Sequence, residues 1–133
     1  IDAVVADKLE FGVQSFSIDL ENIEKSNMIL DVGEKTVELI SNAIINSKTL
    51  LWNGPLGVFE IPPFDESTSS CALTAAMMTR AGGLISVAGG GDTVSALNHA
   101  GASGGFSYIS VAGGAFLEWI EGKVLPGIKV LND

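Results

Sequence analysis

The sequence predicts an α/β fold: a parallel sheet with helices on both faces, in three layers. Three observations predict it. Short apolar runs alternate with helix-like segments, in the order strand, loop, strand, helix, strand, helix, strand, helix, strand, helix. The core strands are continuous apolar runs, as strands buried on both faces are. The hexapeptide Ile-Ser-Val-Ala-Gly-Gly occurs twice, at 85–90 and 109–114, each time as a strand ending in glycines before a helix. That offset is about one helix-plus-strand unit, and right-handed crossovers follow from strand twist.

In chain order, VVA at 4–6 is a short, β-branched run that predicts a buried strand ending near Asp7. The next stretch, to Ser26, is polar and irregular, with a short edge strand at Phe16–Ile18. Asn27–Asp31 is the second main strand, and Gly33 punctuates it. Val37, Ile40 and Ile44 fall on one face of a helix over 34–46. Lys48–Trp52 is a strand, followed by a loop, NGPLGVFEIPPF, with two glycines and three prolines. Asp65 can cap a helix that runs to about Ala81, where Gly82 and Gly83 stop it. Leu84–Ala88 is a strand, and Gly91–Leu97 opens a helix. GASGG at 101–105 reads as a flexible turn, Phe106–Val111 as a strand and Ala115–Glu121 as a helix. LPG at 125–127 closes that helix before a short tail, IKVLND.

The 133 residues make one domain, and 47% hydrophobic content is far above that of a disordered tail. No apolar run reaches membrane-helix length, and no signal-peptide pattern opens the chain. Ile1 opens abruptly inside a strand, which reads as a chain cut from something longer. Cys71 is alone among small residues and reads as a buried helix thiol, a usage that suits a reducing compartment. Sixteen acids face seven bases, for a net charge of -9, with no basic cluster. Nucleic acid and anionic membrane surfaces are therefore poor partners. A phosphate ligand must be held by helix ends and a metal ion, or by bases outside this chain.

Both glycine pairs belong at the carboxyl edge of a parallel sheet, where ligands bind. Glycines there let backbone N–H groups approach an anion, and a helix start adds partial positive charge. In the first copy Asp92 and Thr93 follow at once. Asp92 reads either as a Mg2+-bearing carboxylate beside a phosphate or as an ordinary N-cap, and both readings stay open. The second copy continues Ala115-Phe116-Leu117 and offers only backbone donors. GGGDT matches neither GxxxxGK[ST] nor GxGxxG with a distal acid. The loop after Trp52 lands on the same edge: Pro55 stiffens it, Val58 and Phe59 suit an apolar wall for a base, and Glu60 suits a ribose diol. A packed proline–glycine turn is the plain alternative. His99 reads as a surface or C-cap residue, and Lys35 as a solvated lysine or a ligand contact.

The segments WNGPLGVFE (52–60), SVAGGGDT (86–93) and FSYISVAGGAFLEWIEGKVLPG (106–127), with DAVVAD (2–7) and LDVGEKTVELISNAI (30–44), resemble the C-terminal part of phosphoglycerate kinase. The resemblance implies a Rossmann-like, nucleotide-binding domain over residues 1–133, lacking its own start and the N-terminal phosphoglycerate-binding domain. It implies a cytoplasmic, monomeric glycolytic parent that moves phosphoryl between 1,3-bisphosphoglycerate and ADP, giving 3-phosphoglycerate and ATP, with Mg2+. Glu60 is similar to the family's ribose-contacting glutamate, and Asn53, Gly54, Pro55 and Val58 to its nucleotide loop. Gly90, Gly91, Asp92 and Thr93 match the nucleotide-phosphate segment, with Asp92 as the Mg-nucleotide carboxylate. Gly113 and Gly114 resemble the helix start that helps hold the transferring phosphoryl group. The chain departs from the family at Ile29, Glu34, Ser67, Val111, Ala112 and Phe116. Alone it is expected to lack kinase activity, to bind Mg-nucleotide weakly and to expose a raw sheet edge prone to self-association. The rivals are a non-catalytic nucleotide-binding module and a ligand-free structural α/β domain.

Overall fold

The computed structural model describes residues 1–131; Asn132 and Asp133, the end of the expected tail, lie outside the described residues. Among the described residues six strands form two sheets, not one. β1 (Asp2–Ala6) is buried on both faces and pairs on either side with β2 (Phe16–Asp19) and β3 (Met28–Val32), both antiparallel, in the order β2-β1-β3. This corrects the expectation of a single parallel sheet. Residues 7–27 hold only β2 and a 3₁₀ turn at Leu20–Asn22. A parallel return needs a long, usually helical, crossover, and none is present here.

The second sheet is parallel, in the order β4-β5-β6, from Thr49–Asn53, Ile85–Gly89 and Tyr108–Ser110. α1 (Glu34–Asn46) leads into β4, and α2 (Glu66–Arg80) and α3 (Gly91–His99) are the crossovers to β5 and β6. On one face Leu50, Trp52, Ala88 and Ile109 pack against Ile44 of α1, Cys71, Ala72, Ala75 and Ala76 of α2, and Leu97 of α3. The predicted stripe Val37, Ile40, Ile44 points into this cluster, and Ile45 is exposed. Cys71 is fully buried, as expected, and Sγ lies 3.9 Å from the Ser41 hydroxyl.

On the opposite face Leu51, Val87 and Tyr108 meet α4 (Gly113–Ile120) and α5 (Pro126–Lys129). The three expected layers are thus present at the parallel sheet. This second face is loosely covered: Leu51, Val87, Phe116, Trp119 and Ile128 line an apolar cleft of about 720 Å³. β4 has no strand partner on its outer side among the described residues. None of the described helices is long and apolar enough to cross a membrane.

Four details differ from the sequence reading. β6 is shorter than 106–111, because Phe106 turns inward edge-on to Trp52 at 6.2 Å and Val111 is exposed. α4 begins at Gly113, not Ala115, with Phe116 N–H donating to Ala112 O. The 101–105 segment holds a 3₁₀ turn at Ser103–Gly105, with Gly105 pressed against Ala76 of α2. Asp65 sits at the N-cap of α2 but makes no capping bond, and pairs with His99 Nε2 at 2.9 Å instead.

Candidate functional site

The parallel register brings the ends of three strands level. Asn53 pairs with Gly89, and Gly89 with Ser110, so the loops after β4, β5 and β6 leave from one carboxyl edge. The two glycine-rich starts are in direct contact there. Gly90 N–H donates to Ser110 O at 3.1 Å, and a Cβ on Gly113 would lie only 2.8 Å from Gly90 N and closer still to Gly90 Cα. Gly90 has φ 103°, a left-handed value that glycine adopts without strain.

The first N–H groups of any α-helix lack a partner inside the helix. Two of the longer helices here are capped from elsewhere in the chain. At α1 the Asp2 carboxylate accepts Lys35 N–H at 3.0 Å and Thr36 N–H at 2.8 Å. At α2 the Asp31 carboxylate accepts Ser67 N–H at 3.2 Å. α3 and α4 have no side-chain cap. Their first intrahelical bonds are Val94 N–H to Gly90 O and Phe116 N–H to Ala112 O. Among the described residues the N–H groups of Gly91, Asp92 and Thr93, and of Gly113, Gly114 and Ala115, have no partner. The uncapped pair is the pair that touches, and both starts favour negative charge nearby.

Burial pushes both capping carboxyls up. At Asp2 the Thr36 hydroxyl and the Lys35 and Thr36 N–H groups outweigh burial and hold the carboxyl below its usual range. At Asp31 burial wins over Ser67 and Val32 N–H, and the nearby Asp65 charge adds to the rise. The Cys71 thiol is also raised by burial. Lys35 pairs with Asp19, its ammonium held protonated to higher pH by that carboxylate.

The loop Asn53–Glu60 runs between the two sheets and is closely fixed. Gly54 N–H donates to Thr93 Oγ1 at 2.7 Å, Leu56 N–H to Thr68 Oγ1 at 3.0 Å, and Val58 N–H to Leu30 O at 2.9 Å. Gly57 lies flat on Asp31: a Cβ there would sit 2.8 Å from Asp31 Cβ and closer to its carboxylate. Val58, Gly57, Ile29 and Leu30 line a cleft of about 420 Å³. Phe59, read as a second wall for a base, is 8% exposed and faces the interior. Glu60 is exposed, as is Asp92 in the first turn of α3. Thr93 is buried, its hydroxyl turned toward Gly54.

Gly90, Gly113, Gly54 and Thr93 are therefore brought together by contact, with Asn53 Oδ1 against Gly90. Gly91, Asp92 and Gly114 lie on the exposed side of the same helix starts. Pro55, Val58 and Glu60 continue along the loop toward β3. Phe116 covers Gly89, where a Cβ would approach its ring to 2.9 Å, and so faces the apolar cleft instead of the edge. The capping aspartates and Thr68 escaped the sequence reading, since no local spacing marks a cap that comes from a distant strand.

No Lys or Arg lies in residues 53–60, 89–93 or 110–116. Among the described residues no three His, Cys, Asp or Glu side chains form a metal cluster. A lone exposed carboxylate at a helix start does fit Mg2+, which is commonly held by one or two carboxylates plus substrate phosphates.

A parallel sheet with paired open helix starts at its carboxyl edge defines an α/β Rossmann-like domain of the kind that meets phosphorylated ligands there. The phosphoglycerate kinase family model matches residues 1–123, and the chain belongs to that family. Over 132 residues it is 56% identical to the phosphoglycerate kinase of Cereibacter sphaeroides and 55% identical to that of Rhizobium meliloti, covering 99% of this chain and 33% of each relative. The solved phosphoglycerate kinase of Coxiella burnetii superposes with a TM-score of 0.89 at 39% identity, over 98% of this chain and 33% of that one. The Pyrococcus horikoshii enzyme gives 0.80 at 27% identity, over 98% and 31%. The chain thus spans about a third of the length of these relatives.

Proposed function

We propose that this chain is the C-terminal, nucleotide-binding part of a two-domain phosphoglycerate kinase, and that it holds the Mg-nucleotide for phosphoryl transfer between 1,3-bisphosphoglycerate and ADP. The observation that carries the reading is the contact between two uncapped helix starts at one sheet edge, beside an exposed Asp92.

The loop and the helix starts divide the work. Gly54, Leu56 and Val58 have their N–H groups engaged within the protein, and Pro55 has none. Apart from the Glu60 amide, which has no partner among the described residues, the loop can therefore offer a nucleoside only side chains and carbonyls: Val58 and Pro55 as apolar surface, Asn53 and Glu60 as polar groups. The open N–H groups of Gly91, Asp92 and Thr93 suit the nucleotide phosphates. Those of Gly113 and Gly114 suit the phosphoryl group in transfer, an assignment that makes them the catalytic donors. Asp92 would hold Mg2+ together with phosphate oxygens, and the bound ion would neutralise phosphate charge. Such a reaction needs positioning and charge stabilisation more than covalent chemistry.

The acyl-phosphate side needs bases, and this edge has none, so 3-phosphoglycerate and 1,3-bisphosphoglycerate belong to the N-terminal domain of the parent. Closure of the two domains would then exclude water. The chain alone should bind Mg-ADP weakly and show no phosphoglycerate-dependent ATP turnover. Calorimetric titration with Mg-ADP tests the site. Asp92→Ala should weaken binding about tenfold or more while lowering stability by no more than about 1 kcal/mol, the scale of an exposed carboxylate at a helix start. Binding untouched by that substitution would remove Asp92 from the site, and robust turnover by the isolated chain would refute the division of labour.

A further inference from the structure

Two buried hydroxyls do something that the assignment of ligand contacts does not explain. Thr93 and Thr68 are each 1% exposed, and both turn away from solvent toward the 53–60 loop. Thr93 stands in the first turn of α3 and takes Gly54 N–H at 2.7 Å. Thr68, near the start of α2, takes Leu56 N–H at 3.0 Å and reaches Gly57 N–H at 3.4 Å. Pro55, between them, has no N–H to satisfy. The loop is thus fastened to two helices, one of which carries the proposed phosphate donors.

We infer that Thr93 and Thr68 are positioning residues, which hold the nucleoside loop in register with the open start of α3 before any ligand arrives. The inference rests on the nucleotide reading above and assigns these two side chains an internal role. Thr93 contributes its backbone N–H to the phosphate end and its hydroxyl to the loop. One residue therefore fixes the spacing between the two parts of the nucleotide site. A loop fixed in advance loses less conformational freedom on binding, so its tethers raise affinity without touching the ligand. Without them, Gly54 and Leu56 would leave half-buried N–H groups unpaired or pull the loop out toward water.

The test uses Thr93→Val and Thr68→Val, which keep shape and remove the acceptor, with Thr93→Ser and Thr68→Ser, which keep it. Hydrogen exchange without ligand should show Gly54 exchanging about tenfold faster or more in Thr93→Val, and Leu56 likewise in Thr68→Val, with α1 and β1 amides unchanged. Mg-ADP affinity should fall about tenfold in each valine variant and return in each serine variant. Unchanged exchange at these amides, or serine variants no better than valine, would overturn the tethers. Faster exchange with undiminished affinity would overturn their role in binding and leave the nucleotide reading intact. If the unsubstituted chain binds no Mg-ADP, the nucleotide reading and the role in binding fall together, while exchange still decides whether the tethers exist. Should a valine variant not fold, the unsubstituted chain decides: Gly54 and Leu56 must exchange far more slowly than Glu60, and equal rates would overturn the inference.

Discussion

Gly113→Ala and Gly114→Ala add the same methyl group to neighbouring residues of α4, and the structure expects opposite results. Intrinsic helix propensity favours alanine over glycine by up to about 1 kcal/mol, and by less at a helix end. At Gly114 nothing lies within 4 Å of the added Cβ, so only that gain operates. At Gly113 the Cβ would come within 2.8 Å of Gly90 N and closer to Gly90 Cα. These are backbone atoms at the end of β5, and they cannot rotate aside as a side chain could. Overpacking of this kind costs about 1–3 kcal/mol. Subtracting a gain of about 0.5 kcal/mol at a helix end leaves Gly113→Ala about 0.5–2.5 kcal/mol less stable than the parent. Gly114→Ala should be level or more stable by up to about 1 kcal/mol. For a chain of this size each kcal/mol moves the melting midpoint by about 3–5 °C. Thermal unfolding followed by circular dichroism should therefore separate the variants by several degrees, with Gly113→Ala below the parent and Gly114→Ala at or above it. If both shift the same way, or Gly113→Ala is the more stable, the two glycine-rich starts are not packed backbone to backbone. A shared phosphate-binding edge would then have no geometric basis.

The repeated hexapeptide shows how much of this edge was legible. A strand that ends in glycines before a helix, found twice about one helix-plus-strand unit apart, predicts two helix starts on the same edge of a parallel sheet. Register confirms it through Gly89 and Ser110. That the two starts touch was not legible, since contact depends on strand neighbours, and β5–β6 adjacency is a tertiary fact. The first half of the fold was misread for a related reason. β1 is buried on both faces, and such a strand has the same apolar run whether its neighbours run parallel or antiparallel. The absence of any helical segment between residues 7 and 27 was the available signal against a parallel return.

The loop divides in the same way. Its stiffness was readable from Pro55 and the two glycines, but its fastenings were not. Thr68 lies in STSSCALTAA, where a threonine resembles any helix hydroxyl, and its partners Leu56 and Gly57 are more than ten residues away. Phe116 shows the converse error. As a departure from the family pattern it drew attention to the phosphoryl end, yet its ring lies over Gly89 and toward the apolar cleft. A substitution next to a site in sequence need not face that site.

Two further predictions concern the scaffold beneath the edge. Ile44 of α1 is 4% exposed in the main core and Ile45 is 47% exposed. Urea denaturation should find Ile44→Ala about 2–4 kcal/mol less stable, and Ile45→Ala within about 0.5 kcal/mol of the parent. The last prediction separates capping by charge from capping by shape. The Asp2 carboxyl is lowered in the folded chain: burial opposes its charge, but the Thr36 hydroxyl and two N–H groups at the start of α1 outweigh it. A carboxyl lowered on folding stabilises the fold above its unfolded pKa of about 3.9, and that stability is lost as pH falls through the lower folded value. Asp2→Asn keeps one acceptor oxygen and loses the charge. It should cost about 2 kcal/mol at pH 7, the scale of charge-assisted bonds left partly unmade. The deficit should shrink as the pH falls from the usual carboxylate range through the lower folded value, below which the parent carries no charge at Asp2 either. Asp31 titrates in the opposite sense, since its carboxyl is raised by burial and its ionisation weighs against the fold as pH rises. The variant-minus-parent difference at Asp2 is therefore the quantity to measure, because the Asp31 contribution is common to both chains. A deficit that stays constant from pH 7 down into the acid range would mean that Asp2 caps α1 by shape alone.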